Sequence, residues 1–338
     1  MPETLELTPF VRGDVTQEKW DRLLESSLGA TVFHCREWAT VLGATFKELS
    51  IKYIVIEDQR GSYVAGMPLA VSRSIVAAKY RSMPFGTYGG PLIMKGQEDE
   101  AAVFMGASLQ GVTRSLLPFS FSCVLYDTPV VIERALAYVF PGGRREKVST
   151  HLIDLEEGFQ RLWDHSFDKE TRTCARKAAR SGVTVEEDTT HRGAAVLHGL
   201  YRKQASFWNP GRIYPERLVS EIVDRMKSRA RIWLGVRQGE PVCGVLAFYF
   251  GNTLMAWLSG QSEEGRNLRA SHLVYAEMMK HACENNYSVF NFGASGSLQG
   301  VRFFKESFGA REYSYSIFTY ESGLFRFARR LKGAAAGV

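Results

Sequence analysis

The sequence predicts an α/β fold built from two halves of similar organisation. In each half, a pair of amphipathic helices precedes antiparallel strands, a further helix and a further strand. The pattern breaks at Pro141, Gly142 and Gly143, which favour a turn between the halves. No repeat of residues accompanies this repeat of elements, so a single large α/β domain is the alternative interpretation.

Helix and strand signals alternate through the first half. Trp20, Leu23 and Leu24 have the i, i+3, i+4 spacing of one helical face, behind a cap at Asp14 or Thr16. The predicted elements are, in order, this helix, a helix carrying Trp38, Val41 and Leu42, strands at 51–57 and 63–72, an irregular Gly/Pro-rich stretch at 82–93, a helix at 99–115 and a strand at 119–125.

The second half begins with a long predicted helix, 155–181, which ends at Gly182 as a left-handed cap. The further predicted elements are helices at 191–207 and 215–228, a meander of strands at 231–237, 242–250 and 253–260, a helix at 268–285 and a strand at 289–292. Because a helix precedes it, the last strand is expected to lie parallel to an earlier one.

Composition narrows the class of protein. The chain has 338 residues, enough for two domains, and no run of 18 apolar residues, so no transmembrane helix is expected. No signal peptide is apparent. Five scattered cysteines suit reduced thiols in the cytoplasm, and the seven histidines form no ligand spacing with them, which predicts no structural metal. The net charge of +6 indicates an anionic partner.

The stretch from Val289 to Phe308 holds the most distinctive chemistry. A short apolar strand leads into a loop of Gly and Ser residues, 293–297, whose backbone N–H groups could approach an anion closely. Lys305 then stands among Phe303, Phe304 and Phe308. A cation among aromatic rings can be a working group, or it can extend to water.

This stretch also carries a resemblance to a known family. The run FNFGASGSLQGVRFFKESFGA resembles the closing motif of the Fem-type aminoacyltransferases and their acyltransferase relatives, a branch of the GNAT superfamily. Members show a strand ending in Asp-Phe-Gly, a turn, Phe-Lys and Phe-Gly; here Asn291 takes the place of the Asp. Similar segments lie at 32–42, 82–93 and 173–186, so the resemblance spans roughly residues 30–320.

The resemblance implies tandem GNAT-like domains, which we place at 1–145 and 146–321, followed by a basic tail, 322–338. It also implies an aminoacyl- or acyltransferase that modifies an amine of a phosphate-bearing cell-envelope (peptidoglycan-type) or exopolysaccharide precursor. The donor would be aminoacyl-tRNA or acyl-CoA, with no cofactor bound tightly. The alternative is a non-catalytic binding or scaffold protein that keeps the fold.

A basic stripe is the first candidate binding feature. Lys169, Arg172, Arg176 and Arg180 are spaced to share one helical face. Since neighbouring cations repel, a bound phosphate would stabilise the stripe. A solvated face is the alternative.

The joint from Gly260 to His272 is the second. GNAT enzymes that use acyl-CoA carry Gln/Arg-x-x-Gly-x-Gly/Ala here, where the helix N-terminus binds pyrophosphate. Set on Arg266, the pattern has Arg269 in place of its first glycine. The sequence therefore argues against ordinary CoA binding and for a donor such as aminoacyl-tRNA, with Arg266 and Arg269 as side-chain contacts to an anion. A solvated loop is the alternative.

Two further segments are predicted to face substrate. Tyr88, Gly89 and Gly90 would line a cleft at the domain junction, or form a buried connection. Trp208 and Tyr214, beside Asn209–Arg212, would form a lid, or pack in the core.

The chain shows no Ser-His-Asp signature and no nucleophile elbow. Direct attack of an amine on an ester or thioester needs positioning, a proton route and charge stabilisation rather than a covalent intermediate. We predict Lys305 as the catalytic residue, by electrostatic stabilisation or phosphate contact, with Asn291, Gly293 and Phe304 in substrate binding.

The tail, SGLFRFARRLKGAAAGV, combines apolar and basic residues on a predicted short helix. It resembles an interfacial anchor, which would place a cytoplasmic protein at the inner membrane surface. A frayed terminus is the alternative.

Overall fold

A computed structural model describes residues 8–85, 87–113, 118–208, 213–294, 296 and 298–335. Contacts divide the chain into two compact units. Unit 1 comprises Met1–Val148 with Tyr315–Val338, and unit 2 comprises Ser149–Ser314. The predicted domain limits at residues 145 and 321 stay a prediction.

Both strands and helices occur in each part of the described chain. The strands are β1 (Thr8–Arg12), β2 (Ser50–Glu57), β3 (Tyr63–Arg73), β4 (Ala78–Arg81), β5 (Leu92–Ile93), β6 (Phe119–Leu125), β7 (Arg144–Asp154), β8 (Val183–Asp188), β9 (Ala230–Arg237), β10 (Glu240–Phe250), β11 (Thr253–Gln261), β12 (Val289–Ala294) and β13 (Arg311–Glu321). The helices are α1 (Gln17–Ser26), α2 (Arg36–Thr45), α3 (Glu98–Thr113), α4 (Val130–Val139), α5 (Phe159–Arg161), α6 (Lys169–Arg180), α7 (His191–Trp208), α8 (Glu216–Met226), α9 (Glu263–Leu268), α10 (Ala270–Glu284), α11 (Gln299–Glu306) and α12 (Gly323–Ala335).

Unit 1 is a mixed sheet with helices packed on it. Its strand order is β1-β2-β3-β4-β6-β13, with β5 added to β3. Neighbouring strands are antiparallel except β4 and β6, which are parallel. The core joins the sheet to α3 and α4 through buried side chains such as Leu109, Phe121 and Leu136. Burial of such apolar surface is the main stabilising term.

Unit 2 repeats the arrangement with the order β7-β12-β11-β10-β9-β8. Here β11 and β12 are the parallel pair, and the other neighbours are antiparallel. Helix α10 contributes Val274, Met278 and Met279 to the core, all fully buried. The meander β9–β11 and the parallel placement of β12 confirm two predictions, because both follow from local spacing and turn residues.

The predicted single helix at 155–181 is wrong. Helix α5 runs into a π-type turn, Leu162–Ser166; Phe167 and Asp168 are extended, and α6 begins anew at Lys169. The Nη1 group of Arg172 donates hydrogen bonds to the carbonyls of Trp163, Asp164 and Phe167, at 3.0, 3.1 and 2.6 Å. Carbonyls at the end of a helical turn need such donors, and this guanidinium supplies them.

Other elements went unpredicted. No prediction covered β1, β4, β7, β8 or α4. Strand β5 lies inside the stretch that was predicted to be irregular, and α9 lies in the predicted joint. The strands among these are short or strongly charged: β7 begins Arg-Arg-Glu-Lys, and β8 ends Glu-Glu-Asp. Their polar exposed residues hide the period-2 pattern by which a half-buried strand is usually recognised.

Candidate active site

A cavity opens in unit 2 where two parallel strands separate. Strands β11 and β12 pair only at their starts, from Thr253 with Val289 to Met255 with Asn291. Beyond that point β11 continues to Gln261 and β12 to Ala294 without pairing to each other. A cavity of about 340 Å³ lies in this gap, lined by both strands and by α9, α10 and α11.

A bulge in β11 lies at the point of separation. In the pairing with β10, Leu246 faces Leu258 and Ala247 faces Ala256, so the register passes over Trp257 as a β-bulge. A bulge bends its strand and increases its twist. Trp257 follows the last β11–β12 pair by two residues, so the bulge lies where the two strands stop pairing and the cavity begins.

On the β12 side of the gap, the chain turns at Gly293. Its φ is +71°, in the left-handed region that favours glycine, and a Cβ there would stand 3.1 Å from the carbonyl oxygen of Ala256. The buried Asn291 holds this turn: its Oδ1 accepts from the Gly293 N–H and from the Thr150 hydroxyl, both at 2.8 Å. Both contacts use the carbonyl oxygen, which an Asp would also provide.

Lys305, on α11, reaches this turn from the cavity wall. Its side chain is 4% exposed, and its Nζ donates to the Gly293 carbonyl oxygen at 2.5 Å. Burial lowers the pKa of Lys305 from 10.5 to about 7, because a charged ammonium loses its hydration in this position. The amine is therefore about half neutral near pH 7, so it can accept or release a proton there.

His151, on β7, is a second buried ionisable residue in this region. It is 1% exposed, and its Nε2 lies 3.6 Å from the Oε1 of Glu306. Burial lowers the pKa of His151, and the nearby charge of Lys305 lowers it further. Both effects disfavour the protonated imidazole at this position.

Aromatic rings and His272 form the apolar part of the wall. Tyr275 stacks on Phe292 with centroids 5.5 Å apart and meets Phe304 edge to face at 5.2 Å. His272 lies 5.0 Å from Phe304, also edge to face. Burial, with a smaller effect of the Arg269 charge, lowers the pKa of His272 to about 4, so this imidazole is neutral at pH 7.

The helix joint supplies the polar, cationic end of the cavity. Ser262 caps α9 by accepting from the Gly265 N–H at 3.0 Å, and α10 starts at Ala270. Between the helices, Arg269 has φ +63° and ψ 29°, the left-handed conformation. Arg269 thus keeps the turn that a glycine would form, and its side chain, with that of Arg266, lines the cavity.

Among the predicted site residues, unit 2 brings one group together. Arg266, Arg269, Phe304 and Lys305 line the cavity. Asn291 and Gly293 form the turn that Lys305 contacts. Tyr214 reaches the cavity indirectly, because its ring stacks on the lining residue Trp257 at 5.3 Å. The roles assigned to these residues stay predictions.

The basic stripe is not among the residues that line the cavity. Arg172 is engaged by the three carbonyls described above, and the exposed Arg176 places its guanidinium 5.2 Å from the Trp163 ring. Lys169 and Arg180 are exposed. Packing within unit 2 accounts for two of the four cations, and phosphate binding by Arg172 and Arg176 stays a prediction.

The Tyr88 segment lies in unit 1. Tyr88 is buried and stacks on Tyr126 at 4.5 Å. A Cβ at Gly89 would meet Met83 Cγ at 2.3 Å, and one at Gly90 would meet the Val124 carbonyl oxygen at 2.0 Å. Packing thus accounts for both glycines without a ligand. The Trp208 side chain and Asn209–Arg212 lie outside what the structure describes, so the predicted lid stays a prediction.

Several cavity residues escaped the sequence analysis. Gln204 of α7 accepts a hydrogen bond from the Gln261 N–H at 3.2 Å, and both side chains line the cavity. Such residues reach it from distant elements, and no spacing in the sequence connects them. Within the described residues, no group of three or more His, Cys, Asp or Glu side chains could hold a metal ion.

Comparison with known proteins agrees with this architecture. A family model described as "Acetyltransferase (GNAT) domain" matches residues 165–306, the segment that holds the cavity. No curated protein matches the chain.

Solved structures extend the likeness to nearly the whole chain. FemX matches with a TM-score of 0.73 at 13% identity, covering 96% of this chain and 99% of its own. A tandem GNAT protein from the clavulanic acid biosynthesis pathway gives 0.59 at 11% identity, covering 95% and 99%. L-PGS from Bacillus licheniformis gives 0.55 at 14% identity, covering 94% and 97%. The chain therefore has an α/β, tandem GNAT-type, Fem-like fold, which confirms the predicted fold class.

Proposed function

We propose that the protein is an acyltransferase whose active site is the unit 2 cavity. The observation that carries the proposal is the position of Lys305, a buried amine with a pKa of about 7 in the wall of a cavity between separating parallel strands. A group that titrates near the working pH is suited to general acid–base chemistry. The GNAT acetyltransferase match to residues 165–306 supports the same class.

The polar end of the cavity suggests the donor. Ser271 and His272, in the first turn of α10, line the cavity beside Arg266 and Arg269. Helix N-termini and arginines both favour phosphate groups. We therefore favour a pyrophosphate-bearing thioester, acyl-CoA, over aminoacyl-tRNA. Arg269, which stands where the CoA-binding motif has glycine, adopts a left-handed conformation that glycine favours, and its guanidinium adds a cation for the pyrophosphate.

The proposed reaction is direct transfer. The acceptor amine attacks the thioester carbonyl carbon, a C–N bond forms, and the C–S bond breaks as the thiolate leaves. Neutral Lys305 takes the proton that the amine must lose, and the thiolate then takes up a proton. The Gly293 carbonyl holds the Lys305 amine in one orientation while leaving its lone pair for this proton.

For the acceptor, we propose an amine of a phosphate-bearing cell-envelope or exopolysaccharide precursor, as the Fem-type resemblance implies. FemX shares this fold. An L-PGS and a putative lysylphosphatidylglycerol synthetase share the fold, and by name the second makes an aminoacylated lipid. The net charge of +6 suits such anionic acceptors.

A second candidate is a non-catalytic binding protein with the same fold. Two departures from the family pattern favour it: Asn291 in place of Asp and Arg269 in place of Gly. Both candidates predict ligand binding in the cavity, and only the first predicts turnover.

Ligand-induced stabilisation tests the donor and separates these candidates. Acetyl-CoA, aminoacyl-tRNA and UDP-linked muropeptide would each be added to the full chain in a thermal unfolding assay. A ligand at 100 times its Kd adds about 2.7 kcal/mol. We expect stabilisation by acetyl-CoA, followed by amine-dependent release of free CoA thiol. Stabilisation without thiol release would favour the binding protein.

Variants at the helix joint locate the donor. Arg269→Gly keeps the left-handed turn while removing the guanidinium, so weaker binding by this variant reports the side chain and not the loop. Arg217→Ala, an exposed arginine of α8, is the matched control. Failure of all three ligands to stabilise the wild-type chain would contradict the proposal.

A further inference from the structure

One end of the unit 1 sheet carries two projections side by side. Ala78 at the start of β4 pairs with Phe119 at the start of β6, and its N–H donates to the Pro118 carbonyl. On the other side of β6, the Ser322 N–H donates to the Phe119 carbonyl just after β13 ends. The β3–β4 turn and the start of α12 therefore leave the sheet at the same end, about two strand spacings or ~10 Å apart.

The β3–β4 turn exposes aliphatic side chains on an ordered hairpin. The Ser74 N–H donates to the Ala77 carbonyl at 2.8 Å, and the Ser74 hydroxyl accepts from the Ala77 N–H at 3.1 Å. At the tip, Ile75 is 95% exposed and Val76 58% exposed. Turn tips normally carry Gly, Asn, Asp or Ser, so two exposed β-branched residues here point to an apolar environment that they enter.

Helix α12 repeats this pattern beside the hairpin. Leu324 and Phe327 are each 62% exposed and, three residues apart, share one face of the helix. The Ser322 hydroxyl accepts from the Phe325 N–H at 3.3 Å and from the Phe119 N–H at 3.0 Å, which joins the first turn of the helix to β6. The start of α12 is thus fixed to β6, the strand beside β4.

The charges around both projections are almost entirely positive. Arg73 and Lys79 flank the hairpin turn, and neither 70–81 nor 322–335 contains an acidic residue. Arg326, Arg329 and Arg330 are exposed on α12. The carboxylate at the helix start, Glu321, pairs with Arg329 at 3.1 Å. Apolar tips within a basic rim are complementary to a bilayer surface that carries anionic headgroups.

We propose that this end of unit 1 docks on an anionic lipid bilayer, with the hairpin tip and the apolar face of α12 at the boundary between headgroups and acyl chains. The basic residues contact the headgroups. No helix within the described residues is long and apolar enough to cross a bilayer. The proposal does not depend on acyl transfer, and its test needs neither donor nor acceptor.

Vesicle flotation with the full chain tests the docking surface. Vesicles of phosphatidylcholine alone are compared with vesicles that contain about one third phosphatidylglycerol. We expect binding to the anionic vesicles only, weakened by added NaCl because salt screens the basic rim. Ile75→Ser with Val76→Ser, and separately Leu324→Ser with Phe327→Ser, should each weaken binding about tenfold or more.

A control variant and a charge variant make the outcome decisive. Val103→Ser with Val130→Ser removes two valines of unit 1 that are 67% and 64% exposed on α3 and α4, and it should leave binding unchanged. Arg326→Gln with Arg330→Gln should weaken binding roughly tenfold or more, since each cation near an anionic surface adds about fivefold.

Equal flotation of wild type and both apolar variants would overturn the proposal, as would no flotation of the wild type. Light scattering after size-exclusion chromatography tests whether a second copy of the chain covers this surface. A dimer that the hairpin variant dissociates would identify a second copy of the chain as the partner instead of a bilayer.

Discussion

Lys305 and Arg172 are both cations that the sequence singled out, and both donate to main-chain carbonyls of unit 2. Their surroundings separate them. Arg172 satisfies three carbonyls at the end of a helical turn. Lys305 is buried in a cavity wall and, among the described contacts, donates to one carbonyl, that of Gly293.

This difference decides what each charge can do. A guanidinium is charged at every physiological pH, so Arg172 acts as a fixed donor that holds the turn against α6. An ammonium with one acceptor and little hydration is held near its titration point, as the lowered pKa of Lys305 shows. A buried ammonium loses its proton more easily when the protein replaces its hydration incompletely.

The largest expected effect is on catalysis by Lys305. Lys305→Met keeps the size and apolar contacts of the stem but removes the base, so acyl transfer should fall by about 100- to 10,000-fold. Initial rates of thiol release measure this. The exposed Lys280→Met on α10 should keep wild-type rates. Retention of wild-type turnover by Lys305→Met would remove Lys305 from the mechanism.

The second prediction concerns stability and pH. Between about 7 and 10.5 the unfolded chain holds a proton on Lys305 that the folded chain has lost. Stability contributed through this group therefore rises with pH across that window, and the full difference corresponds to roughly 5 kcal/mol. In denaturant unfolding at several pH values, the free energy of unfolding of the wild type should increase relative to that of Lys305→Met as pH rises. If the unfolding free energies of the two proteins changed with pH in parallel, the pKa of Lys305 in the folded chain would equal its value in the unfolded chain.

The third prediction concerns Arg172. Arg172→Ala should cost about 1–3 kcal/mol of unfolding free energy, because three carbonyls lose their donor. Activity per folded molecule should stay near the wild-type value. The neighbour Arg176→Ala, which loses only its contact with Trp163, should cost about 1 kcal/mol or less. If Arg172→Ala instead lost affinity for a phosphate-bearing ligand while its stability stayed unchanged, the basic stripe would be a binding surface.

The smallest effect is expected at Asn291. Asn291→Asp keeps the acceptor for Gly293 and Thr150, so the turn should persist. The new carboxylate on the turn that Lys305 contacts should raise the Lys305 pKa, by about one unit or more. The rise of kcat/KM with pH should then move to higher pH. An unmoved profile would show that the carboxylate and the amine do not interact.

Local patterns of the sequence were sufficient to predict many of the helices and strands of unit 2. The meander β9–β11, helix α10 and the parallel strand β12 follow from turn residues and apolar periodicity, which act between near neighbours in the chain. The motif around Asn291, Gly293 and Lys305 was likewise visible, because its residues lie within 15 positions of one another. Arg266 and Arg269 were identified by setting the motif of GNAT enzymes on the joint from Gly260 to His272.

Tertiary structure decided what those residues face. The break before α6 depends on Arg172 reaching back to carbonyls that no helical periodicity records. Gly89 and Gly90 have the same sequence signal as Gly293, yet Met83 and the Val124 carbonyl occupy the space beside them. The cavity lies where β11 and β12 stop pairing, and the pKa of Lys305 depends on its burial there. Burial and approach between distant segments are properties of the packed chain, so no local pattern could specify them.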